Sequence, residues 1–306
     1  MENTLTPEQY ALFEEVLNEY DRLRSLSPEE KENLIISITS TTFIDLLSDW
    51  AFKHVFGHDE RNLIPLLNDI LSENIVHIEY DSNEIDRWKG DDKKVIMDVL
   101  CHTKEGKSFI VEMQRADKEF LRNRMFFYGA SMASAQLRNG DKYGKLMPVY
   151  VVCFMNFCLK HETSQLIYKY QIREASGELF GSQLTICLCE LPRLVDKPKK
   201  DMNPIEVWFD ILQNMTNFAK KPVEYSPQFD SIFEASRQSP IPDNDRKQYL
   251  RSMINNELRS YLTEEDRSEI RAEALAEGRA EGRAEVAKEL ERLGVDADII
   301  RKATGL

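Results

Sequence analysis

Residues 94–115 read KVIMDVLCHTKEGKSFIVEMQR, two apolar runs that each carry an acid, and this stretch constrains the fold more than any other. Asp98 stands among Val95, Ile96, Met97, Val99 and Leu100, and Glu112 and Gln114 follow Phe109, Ile110 and Val111. Strand side chains alternate between faces, so Glu112 and Gln114 share one. The break between the runs is Thr103-Lys104-Glu105-Gly106-Lys107. A three-residue loop with glycine last makes a type I turn followed by a left-handed residue, and glycine takes that positive φ at little cost. Thr103 then faces Lys107, and the same register sets Asp98 opposite Glu112 with Cβ atoms ~5 Å apart. A two-residue loop would put the acids on opposite faces, so loop chemistry and carboxylate pairing select one register.

The flanking sequence predicts an α/β domain. Thr6-Pro7-Glu8 and Ser27-Pro28-Glu29-Glu30 each read as a helix start, with a cap, a first-turn proline and early acids. Asp49 is a plausible N-cap for a short helix through Trp50, Lys53, Val55 and Phe56 that Gly57 ends. Residues 59–72 have helical apolar spacing, and 75–80, 94–103 and 108–115 read as strands. A long helix over 118–139 closes near Gly140, and the apolar run 147–157 suits a strand covered on both faces. Further strands are expected at 164–172 and 184–190, and a helical region from 203. This order gives a mixed sheet with flanking helices over about 41–195. The remaining regions are a helical extension over 1–40, a helical region over 196–262 and an exposed charged helix with a short terminal helix over 263–306.

The net charge of −13 argues against a nucleic-acid partner when taken whole. Its distribution weakens that: residues 1–40 and 201–306 carry −6 each, leaving −1 for the middle. Within 115–145, seven basic residues (Arg115, Lys118, Arg122, Arg124, Arg138, Lys142, Lys145) face three acids. A solvated helix face is the bland reading of that run. No run approaches the ~18 apolar residues of a membrane span, and the acidic N-terminus is unlike a signal peptide. The five cysteines lie in apolar runs, as buried reduced thiols of a cytoplasmic protein would. Near the C-terminus, Arg271, Leu275, Arg279 and Arg283 each begin a four-residue unit with Ala-Glu next. Four residues advance a helix about 400°, so no fixed apolar seam forms. Self-association through Leu275, Val286, Leu290 and Leu293 is a weaker expectation than a solvated helix.

Opposed carboxylates repel unless something compensates. A divalent cation is the natural compensation, and carboxylate ligands with open water positions suit Mg²⁺ or Mn²⁺. Asp98 and then Glu112-x-Gln114 across a hairpin, followed by a helix, resembles the PD-(D/E)xK nuclease superfamily. SDWAFKHVFG, DVLCHTKEGKSFIVEMQ, Arg124…Tyr128, GDKYGKLMPVYVV and CELPRL, in that order, resemble its bacterial Rpn-type family, described as recombination-promoting nucleases or transposases. The resemblance covers about 41–195 and, more weakly, the helical C-terminal part. It implies a restriction-endonuclease-like α/β fold and a metal-dependent DNA endonuclease, with Asp98 and Glu112 as metal ligands. Gln114 stands where most of the superfamily has lysine, although the closer family shares the glutamine. It can orient a water by hydrogen bonding but supplies no charge. Lys53, Arg122 and Arg124, in that order, are the candidates for that charge, Lys53 because its segment corresponds to the superfamily's first helix. Asp49 is a candidate accessory acid, and Arg115, Lys118, Arg122 and Arg124 are candidate DNA contacts.

Each reading has a rival. The rival readings take Asp98 as the mark of a bent strand, Glu112 as a structural partner of Arg115 or Lys53, and Gln114 as a structural hydrogen bond. Phe126, Phe127 and Tyr128 read as core. A catalytically inactive nuclease fold that binds DNA or protein is the alternative function, and its acidic arms and charged helix are what motivate it. A true transposase is disfavoured, because no zinc finger or clear helix-turn-helix is present to read transposon ends.

Overall fold

A computed structural model describes residues 7–18, 20, 26–82, 84–85, 95–116, 120–239, 241–261, 290 and 292. The chain divides into two compact units, Met1–Met253 and Ile254–Leu306. The helices are α1 (Pro7–Asn18), α2 (Pro28–Thr39), α3 (Asp49–Phe56), α4 (Glu60–Leu71), α5 (Leu121–Ala135), α6 (Pro204–Asn214), α7 (Asp230–Ala235) and α8 (Asp243–Tyr261). The strands are β1 (Glu79–Tyr80), β2 (Glu84–Ile85), β3 (Val95–Ile96), β4 (Val99–His102), β5 (Ser108–Gln114), β6 (Val149–Met155), β7 (Ile167–Gln171) and β8 (Leu184–Glu190). No helix among the described residues is long and apolar enough to cross a membrane. Lys118, residue 6 and the 263–293 repeat, apart from Leu290 and Arg292, lie outside the described residues, as does the terminal helix.

Six strands form one mixed sheet in the order β1-β4-β5-β6-β8-β7, with β2 and β3 paired separately, as the resemblance implied. β5, β6 and β8 run parallel, and β1, β4 and β7 are antiparallel to their neighbours. Every residue of β5 and β6 is buried, which explains the continuous apolar sequence of β6. One face carries a core of Ile110, Val149, Val151, Cys153, Met155 and Leu188 beneath Leu121 and Met125 of α5. Gly129 lets α5 approach closely, since a Cβ there would sit 2.5 Å from Leu184 Cδ1. On the other face, Phe52 of α3 and Phe209 of α6 meet Phe154 of β6.

Local signals set several helix starts. Ser27 and Glu30 form a reciprocal capping box at α2, and Asn203 and Glu206 form another at α6. Ser48, not Asp49, caps α3 by accepting the Ala51 N–H; Asp49 takes the first helical position, where its charge still suits the helix dipole. Residues 75–78 form no strand, because the Asn68 side chain holds both N–H and C=O of Ile75 against α4. The helix expected to close near Gly140 ends at Ala135, where Gln136 turns its side chain onto the Met147 backbone. Cys101, Cys153, Cys187 and Cys189 are buried, but Cys158 is exposed in the loop after β6.

The carboxyl ends of the three parallel strands form one edge, with Gln114, Met155 and Glu190 in register across it. Glu190 is fully buried and holds the loop beyond β6. It accepts the Leu159 N–H at 3.0 Å and pairs with His161 at 2.7 Å and with Arg193. These donors pull its carboxyl below the usual range against the cost of burial, which is the largest single influence. Glu190→Ala leaves the Leu159 N–H and His161 without this acceptor and Arg193 without its charge partner, and urea unfolding should report a loss of about 3 kcal/mol.

Candidate active site

The hairpin adopts the register its loop chemistry demands. The Thr103 N–H donates to Lys107 O at 2.9 Å, the Gly106 N–H donates to Thr103 O at 2.8 Å, and Gly106 has φ +95°. Val99 then pairs with Val111 and Leu100 with Ile110, the register that brings Asp98 level with Glu112.

The strand expected over 94–103 is not continuous. β4 starts at Val99, β3 ends at Ile96, and the chain bends at Asp98. Hydrogen-bonded pairs alternate along an antiparallel ladder, so the Met113 N–H would next meet Met97. It instead donates to Asp98 Oδ2 at 2.9 Å. Strict alternation would set Met97 and Leu100 on opposite faces, yet both join the core beneath α5. The bend and the carboxylate are therefore one feature: the side chain of Asp98 takes the acceptor role that the backbone gives up. The Asp98 N–H in turn donates to Glu112 Oε1 at 3.0 Å, so each acid is held by the other's strand.

Glu112 is only 3% exposed. Burial, and then the Asp98 charge, push its carboxyl up to about 8, against the Asp98 N–H, Arg124 and Lys53, which pull it down. Burial likewise raises Asp98, with Asp49 adding repulsion and the Met113 N–H and Lys53 opposing. Lys53 Nζ lies 3.3 Å from Asp98 Oδ1. Gln114 Nε2 donates to Glu112 Oε2 at 3.2 Å, and Arg124 Nη2 donates to Gln114 Oε1 at 2.6 Å. The cluster thus joins α3, the β4–β5 hairpin and α5 at the carboxyl end of β5, where ligands of open α/β sheets bind.

The other sequence candidates fall elsewhere. Arg115 pairs with Asp45 at 2.7 Å, a partner with no local signal, rather than with Glu112. Arg122 is exposed and reaches Lys160 O at 3.5 Å. Asp49 is exposed and acts on Asp98 only through its charge. Phe126 is 56% exposed, and Phe127 packs against the core as expected. Tyr128 also packs against the core as expected; burial is the main cause that raises its hydroxyl pKa, and the charges of Glu112 and Asp98 add to it.

Among the described residues, no group of three or more His, Cys, Asp or Glu side chains could hold an ion. Two carboxylates are nevertheless a workable set for Mg²⁺, which keeps several waters and shares its shell with substrate phosphates. The pair fits on its own chemistry: the half-buried Asp98 and the buried Glu112, both raised by burial and Glu112 further by the Asp98 charge, are compensated only in part by Lys53 and Arg124.

A sequence family described as PD-(D/E)XK nuclease family transposase matches residues 46–262. No curated protein and no solved structure matches the chain. The family match takes in more than two thirds of the 306 residues and agrees with the six-stranded mixed sheet, and the chain therefore belongs to the PD-(D/E)XK nuclease family transposases.

Proposed function

We propose that the chain is a metal-dependent DNA endonuclease that hydrolyses phosphodiester bonds and, in the cell, promotes recombination. The observation that carries this reading is the pairing of the half-buried Asp98 with the buried Glu112 near the carboxyl end of β5, with a cation on either side. Asp98 and Glu112 would hold Mg²⁺ or Mn²⁺. Such an ion polarises the phosphodiester and lowers the pKa of a bound water. The chain's own residues supply the rest. Gln114 fixes Glu112 and offers an amide to orient the attacking water, and Lys53 offsets the charge on Asp98. The exposed Arg122, close to the Lys160 backbone, is offered as a phosphate contact, and DNA binding through such cations should weaken steeply with salt.

Supercoiled plasmid incubated with the protein in Mg²⁺ at low salt should convert to the nicked form, and EDTA should stop it. Tight, salt-sensitive DNA binding with no nicking in either Mg²⁺ or Mn²⁺ would overturn the reading in favour of an inactive binding protein.

A further inference from the structure

Position 114 carries an uncharged amide, yet a cation sits one hydrogen bond behind it. Arg124 Nη2 donates to Gln114 Oε1, and Gln114 Nε2 donates to Glu112 Oε2. A guanidinium carries donors only, so Gln114 must turn its carbonyl oxygen to Arg124 and its NH₂ to Glu112. Chemistry alone fixes the amide orientation. Arg124 Nε is buried and has no hydrogen-bond acceptor among the described residues. Buried donors are nearly always paired, and one left open beside the carboxylate pair suits an acceptor that arrives with a ligand.

The other two candidate cations are placed differently. Lys53 is taken by Asp98 Oδ1, and Arg122 is exposed against Lys160 O. Arg124 also has the better chemistry, because its planar fork can hold an amide oxygen and an anionic oxygen together, whereas a lysine is a point charge. Its position is set by the first turn of α5, where its N–H closes on Phe120 O at 3.0 Å.

We propose that Arg124 supplies the positive charge that position 114 lacks: Nη2 fixes the Gln114 amide while the buried Nε donates to a non-bridging oxygen of the phosphate diester. This rests on the endonuclease reading above, and it names the residue that touches the reacting phosphate.

Four variants test it: Arg124→Ala, Arg124→Lys, the double variant Gln114→Lys/Arg124→Ala, and Arg173→Ala as a charge control on the β7 hairpin. In Mg²⁺, Arg124→Ala should lower kcat/KM for nicking about 100-fold, mostly in kcat. Arg124→Lys should stay at least about 10-fold impaired, because it cannot bridge both acceptors. The double variant, which returns a charge to position 114, should recover about 10-fold over Arg124→Ala, a rescue that a merely structural arginine would not allow. Arg173→Ala should match wild type. Wild-type nicking with Arg124→Ala within about 3-fold of it, or a double variant no better than Arg124→Ala, overturns this role and leaves the endonuclease reading intact. If wild type cleaves nothing, the endonuclease reading falls. The phosphate contact is then read from anisotropy of a labelled DNA duplex in Ca²⁺: Kd weakened about 5-fold in Arg124→Ala, but not in Arg173→Ala, supports it, and equal Kd overturns it.

Discussion

Glu112→Gln and Asp98→Asn should each lower Mg²⁺-dependent nicking by at least roughly 100-fold. Both substitutions keep size and an acceptor oxygen, so the hydrogen bonds from the Asp98 and Met113 N–H groups can persist. What each removes is a negative charge from a pair that shares one buried site. Groups that act as a unit are grossly non-additive, so the double variant should be no worse than about 3-fold below either single one. Nicking rates from the three variants, beside circular dichroism to establish folding, check this. Full activity in either single variant would remove that residue from the site. Losses that simply multiply would mean that the two acids act in separate steps rather than together.

In EDTA, the wild-type protein should lose thermal stability as pH rises from about 5 to about 8.5, and Glu112→Gln should flatten that loss. The folded state holds the Glu112 carboxyl up to about 8, while an unfolded glutamate titrates near 4.3. Between those values the native state binds more protons than the unfolded state, so stability falls with rising pH. Asp98 is raised as well and adds the same sign. Glu73, Glu190 and Glu206 are lowered instead, and their stabilisation is lost only as pH falls below the ordinary carboxylate range. The two groups of carboxyls therefore act in separate windows. At pH 8.5 Glu112→Gln should melt on the order of 5 °C above wild type, and Mg²⁺ should narrow the gap by stabilising the ionised wild-type pair. Parallel Tm–pH curves for wild type and Glu112→Gln would show that the carboxyl is ionised across the range, against the burial described.

The sequence by itself determined what lies within a few residues along the chain. Lys104-Glu105-Gly106 dictated the hairpin loop and hence the level of Asp98 with Glu112, because turn chemistry and strand alternation are local. Ser27 with Glu30 set the start of α2 for the same reason. Where a residue competes with its neighbours for a cap, the same local reading slips by one, as at Ser48 and Asp49. The tertiary structure decided everything that depends on which elements meet. An acid between Met97 and Val99 does not say that the strand will leave the ladder there, since the bend is stabilised only when the carboxylate finds the Met113 N–H across the sheet. Arg115 looks like a free cation beside the motif until the loop before α3 brings Asp45 to it. Lys53 and Arg124 come from helices on either side of the hairpin in sequence, and only the packing of α3 and α5 assigned the first to Asp98 and the second to Gln114. Spacing along a chain fixes which side chains share a face, but side-chain partners tens of residues apart are chosen by burial, where each charged or polar group must find its counterpart or bear the cost of desolvation.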